Sequence, residues 1–337
     1  MAIANTTVWE VRPTAGSDTN GGGYVPGSSG TDWTQQNAAK YSLTNGTTNG
    51  TTTIATVSAV GDMVGNLAYV AGGTGSITAG WYQIVSQITG VSITVDRSTG
   101  LTAGTGVTIN IGGAMATVSA AVAAAVVDNT FYFKATGTYT ETATLALTFG
   151  NDTVMQFIGY SSTRGDGGQV TWTTATNSTV LIQFQSSYLF SFQNFIFTNT
   201  AVTPAVGFNN NNTIIYSVQF RNCVFSGFTN AINGNFASID QFINLELDSC
   251  EVKNCTSQGI VNSGNTTMFG CYVHGNTSHG MYLTSGGLVH NGSVLAVRSV
   301  FYNNGGSGVY LDSGANQIAQ FFNCVCASNT NDGVQNG

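Results

Sequence analysis

Five short segments decide the fold of this chain: Asn222-Cys223-Val224-Phe225, Ser249-Cys250-Glu251-Val252, Gly270-Cys271-Tyr272-Val273, Arg298-Ser299-Val300-Phe301 and Asn323-Cys324-Val325-Cys326. Anchored on Cys223, Cys250, Cys271, Ser299 and Cys324, they recur at intervals of 27, 21, 28 and 25 residues. That is one solenoid coil per repeat. Three residues before the anchor stand Phe220, Leu247, Met268, Ala296 and Phe321, and two after it Phe225, Val252, Val273, Phe301 and Cys326. Some nine residues on, Gly259-Ile260, Gly280-Met281, Gly308-Val309 and Gly333-Val334 agree again, with Ala231-Ile232 one residue early.

A single coil of this kind cannot bury the apolar side of its short strands. Coils stacked about 4.8 Å apart pair every strand with the coils above and below, and like residues then lie over like. The anchors become one internal ladder, where cysteine packs as a small soft hydrophobe. The spacing favours buried free thiols over disulfides or a metal site, because Ser299 interrupts the column and no CxxC pair exists. Asn254, Asn276, Asn303, Asn304 and Asn329 cluster in the turns that follow. Asparagine tolerates the left-handed backbone such corners need, and its amides can stack.

Upstream the pattern weakens. Asn194-Phe195-Ile196-Phe197 reads as a degenerate anchor, preceded by apolar runs at Val154–Ile158, Gln169–Trp172, Val180–Phe184 and Tyr188–Phe192. Phe131–Ala135 followed by Thr136–Thr140 reads as the first coil. Ala116–Val127 is expected to form a helix that lids the solenoid. Residues 1–113 differ: Gly/Thr clusters separate short strands such as Thr53–Val57, Leu67–Ala71, Gly80–Val85 and Val91–Val95, and Thr14–Gly30 is loop. The expected organisation is therefore a small N-terminal β-rich attachment domain over 1–113, and a capping helix plus parallel β-helix over 114–337. The last strand of the repeat is cut short at Gly337, so the final coil is expected to be open or covered by a partner or further chain.

Composition narrows the function. Only 7% of residues are charged, yet 42% are hydrophobic and 11% aromatic, enough surface to bury that disorder is excluded. The eight basic residues are scattered in a chain of net charge −7, so nucleic acid is not an expected partner. Ala114–Val127 is too short to span a bilayer, and no membrane insertion is expected. The opening residues lack a signal-peptide pattern, which implies synthesis in a cytoplasm.

Three features in order carry a resemblance: Arg12-Pro13-Thr14-Ala15-Gly16-Ser17-Asp18-Thr19-Asn20-Gly21-Gly22, the alanine-rich helix, and Phe131-Tyr132-Phe133-Lys134-Ala135-Thr136-Gly137-Thr138-Tyr139-Thr140. Together they resemble the opening of right-handed parallel β-helix repeat proteins of the pectate-lyase-like superfamily. The stretch from Ile158 through Gly167 is similar to versions found in tailed-phage virion proteins and environmental bacterial surface proteins. The resemblance covers the opening motif and residues 115–337, not the inserted β-domain. It implies an all-β, right-handed parallel β-helix, commonly trimeric.

The function expected from it is a non-enzymatic structural or adhesive virion component, a tail spike, fibre or capsid-attached protein that binds host or environmental surface glycans. Its N-terminal domain would meet other virion proteins, and no cofactor is called for. The alternatives are a polysaccharide depolymerase or lyase on the same fold, and a bacterial surface adhesin, which would be extracellular.

For catalysis the weak candidates are Glu246, Asp248 and Glu251, with Lys253 nearby. Glu246 and Asp248 share a face, and two carboxylates about 5–9 Å apart can serve as acid and base. A solvated outer face explains them more simply, since the equivalents of Glu246 are Gln219, Thr267, Leu295 and Gln320. His274, His279 and His290 read as surface turn residues, and Arg164-Gly165-Asp166 as a Gly-rich turn rather than an adhesion tripeptide.

Overall fold

The computed structural model describes residues 3–55, 57–58, 61–149, 154–175, 180–185, 189–201, 205–210, 215–234, 242–284, 292–312 and 317–337. In it the repeat becomes a parallel β-helix with three sheets, because each coil contributes one strand to each. Two compact units are present, Met1–Gly137 and Thr138–Gly337.

In the C-terminal unit the inward columns run unbroken through the sheets. On the first sheet Phe157 lies beside Phe192, then Phe220, Leu247, Met268, Ala296 and Phe321. On the second, Phe197 is followed by Phe225, Val252, Val273, Phe301 and Cys326. On the third, Phe208 is followed by Ile232, Ile260, Met281, Val309 and Val334. The early coils are filled with phenylalanine, whose rings stack along the axis: Phe157 on Phe192 at 4.7 Å and Phe192 on Phe220 at 5.3 Å. Later coils substitute aliphatic residues and thiols in the same columns.

Between the first and second sheets, six successive coils each turn through a single left-handed residue. These are Asn194, Asn222, Ser249, Gly270, Arg298 and Asn323, with φ between 50° and 66°. A positive φ reverses the chain in a single residue, and the next side chain points inward. Phe195, Cys223, Cys250, Cys271 and Ser299 are all buried there. The Ser299 hydroxyl fits among the thiols because it donates to Val297 O at 3.1 Å and accepts from the Cys271 N–H at 3.2 Å. Burial pushes the thiols of Cys255 and Cys271 up to about 12, so these are packing groups and not nucleophiles.

After the second sheet comes another left-handed corner at Asn254, Gly275, Asn303 and Ser328. Its following residues form the second internal ladder. Asn276 Nδ2 donates to Asn304 Oδ1 and Asn304 Nδ2 to Asn329 Oδ1, each at 2.9 Å. At the lower end Cys255 takes the asparagine's place, and its backbone N–H donates to Asn276 Oδ1 at 3.0 Å.

The N-terminal unit contains a closed barrel of six strands, Tyr41–Thr48, Thr53–Ala55, Leu67–Ala71, Gly80–Ile88, Ser92–Val95 and Gly104–Ile111. Ile54, Val70, Ile84, Ile93, Val107 and Ile109 fill it. Beside it, Val8–Val11 pairs in parallel with Thr130–Lys134. The opening motif explains itself here. Asp18 accepts from the Ala116 and Thr117 N–H groups at 3.0 and 2.8 Å, and Arg12 pairs with the buried Glu10 at 3.0 Å. Gly16 lies so close to the chain that a Cβ would sit 2.2 Å from Met115 O.

The helix is shorter than the alanine-rich run, covering Val118–Ala124. Thr117 caps it, and Ala125 is already extended, because only Val118 and Ala121 find a buried contact. Phe131–Lys134 lies in the strand Thr130–Lys134 of the first sheet and Tyr139–Glu141 begins the second, the order expected of a first coil. No helix among the described residues is long and apolar enough to cross a membrane.

The amide ladder makes a definite prediction. Asn276→Ala leaves the buried Cys255 N–H without an acceptor and is expected to cost about 1–3 kcal/mol. A lowered urea midpoint checks this; an unchanged midpoint would mean the ladder contributes nothing net.

Candidate functional site

The outward faces of the coil that carries Cys250 hold the densest run of charge in the C-terminal unit, Glu246, Asp248, Glu251 and Lys253. Strand Phe242–Asp248 places Glu246 and Asp248 outward, while Leu245 and Leu247 are buried between them. In register with Glu246 lie Gln219 below and Thr267 above, and with Asp248 lie Arg221 and Phe269. Beyond the Ser249 corner, Glu251 and Lys253 face outward on the second sheet, beside Tyr272 and His274 of the next coil.

Each carboxylate has its own partners. Glu246 accepts from Gln219 Nε2 at 3.1 Å and sits 3.7 Å from an Arg221 amino group. Asp248 accepts from the Ser249 hydroxyl at 3.0 Å. Glu251 holds Lys253 Nζ at 2.8 Å on one oxygen and His274 Nε2 at 2.9 Å on the other. The His274 ring in turn stacks on Tyr272 at 4.0 Å. Burial works against ionisation of Glu251, but the hydrogen bonds from Lys253 and His274 outweigh it and keep its carboxyl below the usual range. A general acid needs the opposite shift.

Glu246 and Asp248 thus share one face, and Glu251 belongs to a separate network on the next sheet. His274 stands in strand Tyr272–His274 rather than in a turn; the register that sets it beside Lys253 puts it within reach of Glu251. His279 accepts from the Ser307 N–H at 3.0 Å and lies against Tyr310 at 4.6 Å. Burial lowers its basicity. His290 lies outside the described residues. Asp166 does not present its carboxylate to a partner. The Ser162, Gly168, Ser161 and Thr163 N–H groups converge on it and hold it far below the ordinary range.

One acid escaped the sequence reading. Glu141 ends strand Tyr139–Glu141, and burial raises its carboxyl despite a hydrogen bond from Trp172 Nε1 at 3.0 Å. Only the pairing of Tyr139 with Trp172 one coil later reveals that contact. Among the described residues, no group of three or more His, Cys, Asp or Glu is arranged to hold a metal ion.

No protein-family profile matches the chain, and no curated protein sequence matches it. Among solved structures it is similar to the catalytic domain of Agl-KA, at 13% identity and a TM-score of 0.48, over 98% of this chain and 70% of that one. It is also similar to the tailspike protein gp49 from Pseudomonas phage LKA1, at 11% identity and a TM-score of 0.18. That match covers 89% of this chain and 61% of the tailspike.

The Glu251 network predicts a pH dependence. A carboxyl held low in the folded state contributes stability above the ordinary glutamate range, and that contribution disappears as pH falls through its folded value. Glu251→Gln is expected to flatten the fall in melting temperature between about pH 6 and pH 3. Parallel curves for the two proteins would show that the network adds nothing.

Proposed function

We propose that this chain is a non-enzymatic structural or adhesive β-helical protein, a virion component such as a tail spike, fibre or capsid-attached protein, that binds surface glycans. The observation that carries this reading is the state of the outer face. Glu246 is tied to Gln219 and Arg221, and Glu251 to Lys253 and His274, so neither resembles a carboxylic acid poised to protonate a leaving group. What the solenoid offers instead is a rigid surface of uncharged polar and aromatic side chains, suited to many weak contacts with hydroxyl-rich polymers. The barrel of the N-terminal unit is the part proposed to meet other virion proteins, and the assembly a homotrimer.

A second reading, a polysaccharide depolymerase, is favoured by one contact. The carboxylate of Glu251 orients the His274 ring through Nε2 and leaves Nδ1 to act on a water or hydroxyl.

Incubating the purified protein with capsular polysaccharide and lipopolysaccharide separates the two. Retention of glycan without new reducing or unsaturated ends is expected. New ends that vanish in His274→Ala would instead establish the depolymerase, and absence of any retention would remove both readings. Light scattering that gives three times the chain mass is the expected companion result.

A further inference from the structure

One of the six corner residues between the first and second sheets does not fit its place. Asn194, Asn222, Gly270 and Asn323 are residues that adopt a left-handed backbone readily, and Ser249 is small and bonded to Asp248. Arg298 adopts the same conformation with φ 51°. For a long side chain this costs on the order of 1 kcal/mol, and no local hydrogen bond offsets it. Its guanidinium has no hydrogen-bond or ion-pair partner among the described residues. Arg221 and Lys253 in the same unit both have one.

The space beneath Arg298 is open. Gly270 occupies the corner one coil below, and a Cβ there would meet nothing nearer than Ser249 Oγ at 4.0 Å. The result is a notch lined by Asp248, Ser249, Phe269, Gly270, Val297 and Arg298. Asp248, Phe269 and Val297 stand in register on its first-sheet side. Phe269 is 41% exposed although it is a large apolar ring. Two coil spacings, about 9.6 Å, separate the Asp248 level from the Arg298 level.

We infer that this notch binds a carboxylate-bearing sugar, of the uronic or sialic kind, within a sparsely charged glycan; the inference rests on the glycan-binding reading above and specifies its site. The guanidinium fork takes a carboxylate through two parallel hydrogen bonds. The exposed face of Phe269 covers the apolar C–H side of a pyranose ring. Asp248 keeps lone pairs beyond the Ser249 bond and accepts from sugar hydroxyls. It also repels a second anion near the first. Together with Glu246 and Glu251 nearby in sequence and on outward faces, it disfavours densely sulfated or phosphorylated polymers.

The test uses the full chain against three immobilised oligosaccharide sets: carboxylated with one uronate or sialate per repeat, sulfated, and neutral. Wild type is expected to prefer the carboxylated set. Arg298→Asn is expected to weaken that binding about 10- to 100-fold, as loss of a charged hydrogen-bonding partner does. It should also raise the melting temperature, because asparagine suits the corner. Arg298→Lys, which keeps the charge and loses the fork, should fall between them. Unchanged binding in Arg298→Asn, a lowered melting temperature in that variant, or equal binding of sulfated and carboxylated sets would each overturn the site. Binding to neutral glycans alone would overturn it while leaving glycan recognition intact. No binding to any set would remove both.

Discussion

Everything in the C-terminal unit depends on keeping register from one coil to the next. Each strand finds its backbone partners in the coils above and below, so a slip of one residue would turn every inward side chain out. The left-handed corners hold that register. Because one residue with positive φ ends the first-sheet strand in six successive coils, the next strand there begins in the same phase. The anchor side chain then always lands inside. Spacing between anchors varies from 21 to 28 residues, yet the strands on all three sheets keep the same register from coil to coil.

That constraint explains which parts of the fold could be read in advance. The later coils announced themselves because small anchors, Cys or Ser, repeat beside Asn, Ser, Gly or Arg at the corner, a pairing few other structures require. The earlier coils carry the same geometry with different contents. Asn194 turns the corner with φ 66° and Phe195 fills the anchor site, but phenylalanine occurs in so many inward columns there that no single one stands out. The columns keep their apolar character more than their residue type or size. Phe157, Phe192 and Phe220 can stack on one another where Leu247, Met268 and Ala296 pack as aliphatics.

The candidate site was legible to a lesser degree, for a related reason. Glu246, Asp248 and Glu251 are close in sequence, so their clustering was visible, but their partners are not. His274 is 23 residues from Glu251 and meets it only because the coils align Lys253 with His274. Trp172 is 31 residues from Glu141 and meets it for the same reason. Contacts along the axis obey the register, whereas sequence proximity reports only contacts within a coil. Extending the register to the outward columns would have found the His274 contact, and extending it to the first coil the Trp172 contact.

The outward columns also say where to look for function in a repeat of this kind. Inside, uniform columns are required by packing, and a deviation costs stability. Outside, no packing demand exists, so a polar, weakly charged surface is enough for solubility, and asparagine, threonine and serine provide it. Charges on such a surface are conspicuous when they are not self-paired. Arg221 with Glu246 and Lys253 with Glu251 pair within their own neighbourhoods, and as exposed ion pairs they are worth little to stability. Arg298 differs from both: its backbone conformation costs free energy, its charge has no partner among the described residues, and an exposed aromatic ring and an open corner lie one coil below. A position that neither packing nor local electrostatics explains is the position at which a ligand supplies the missing interaction.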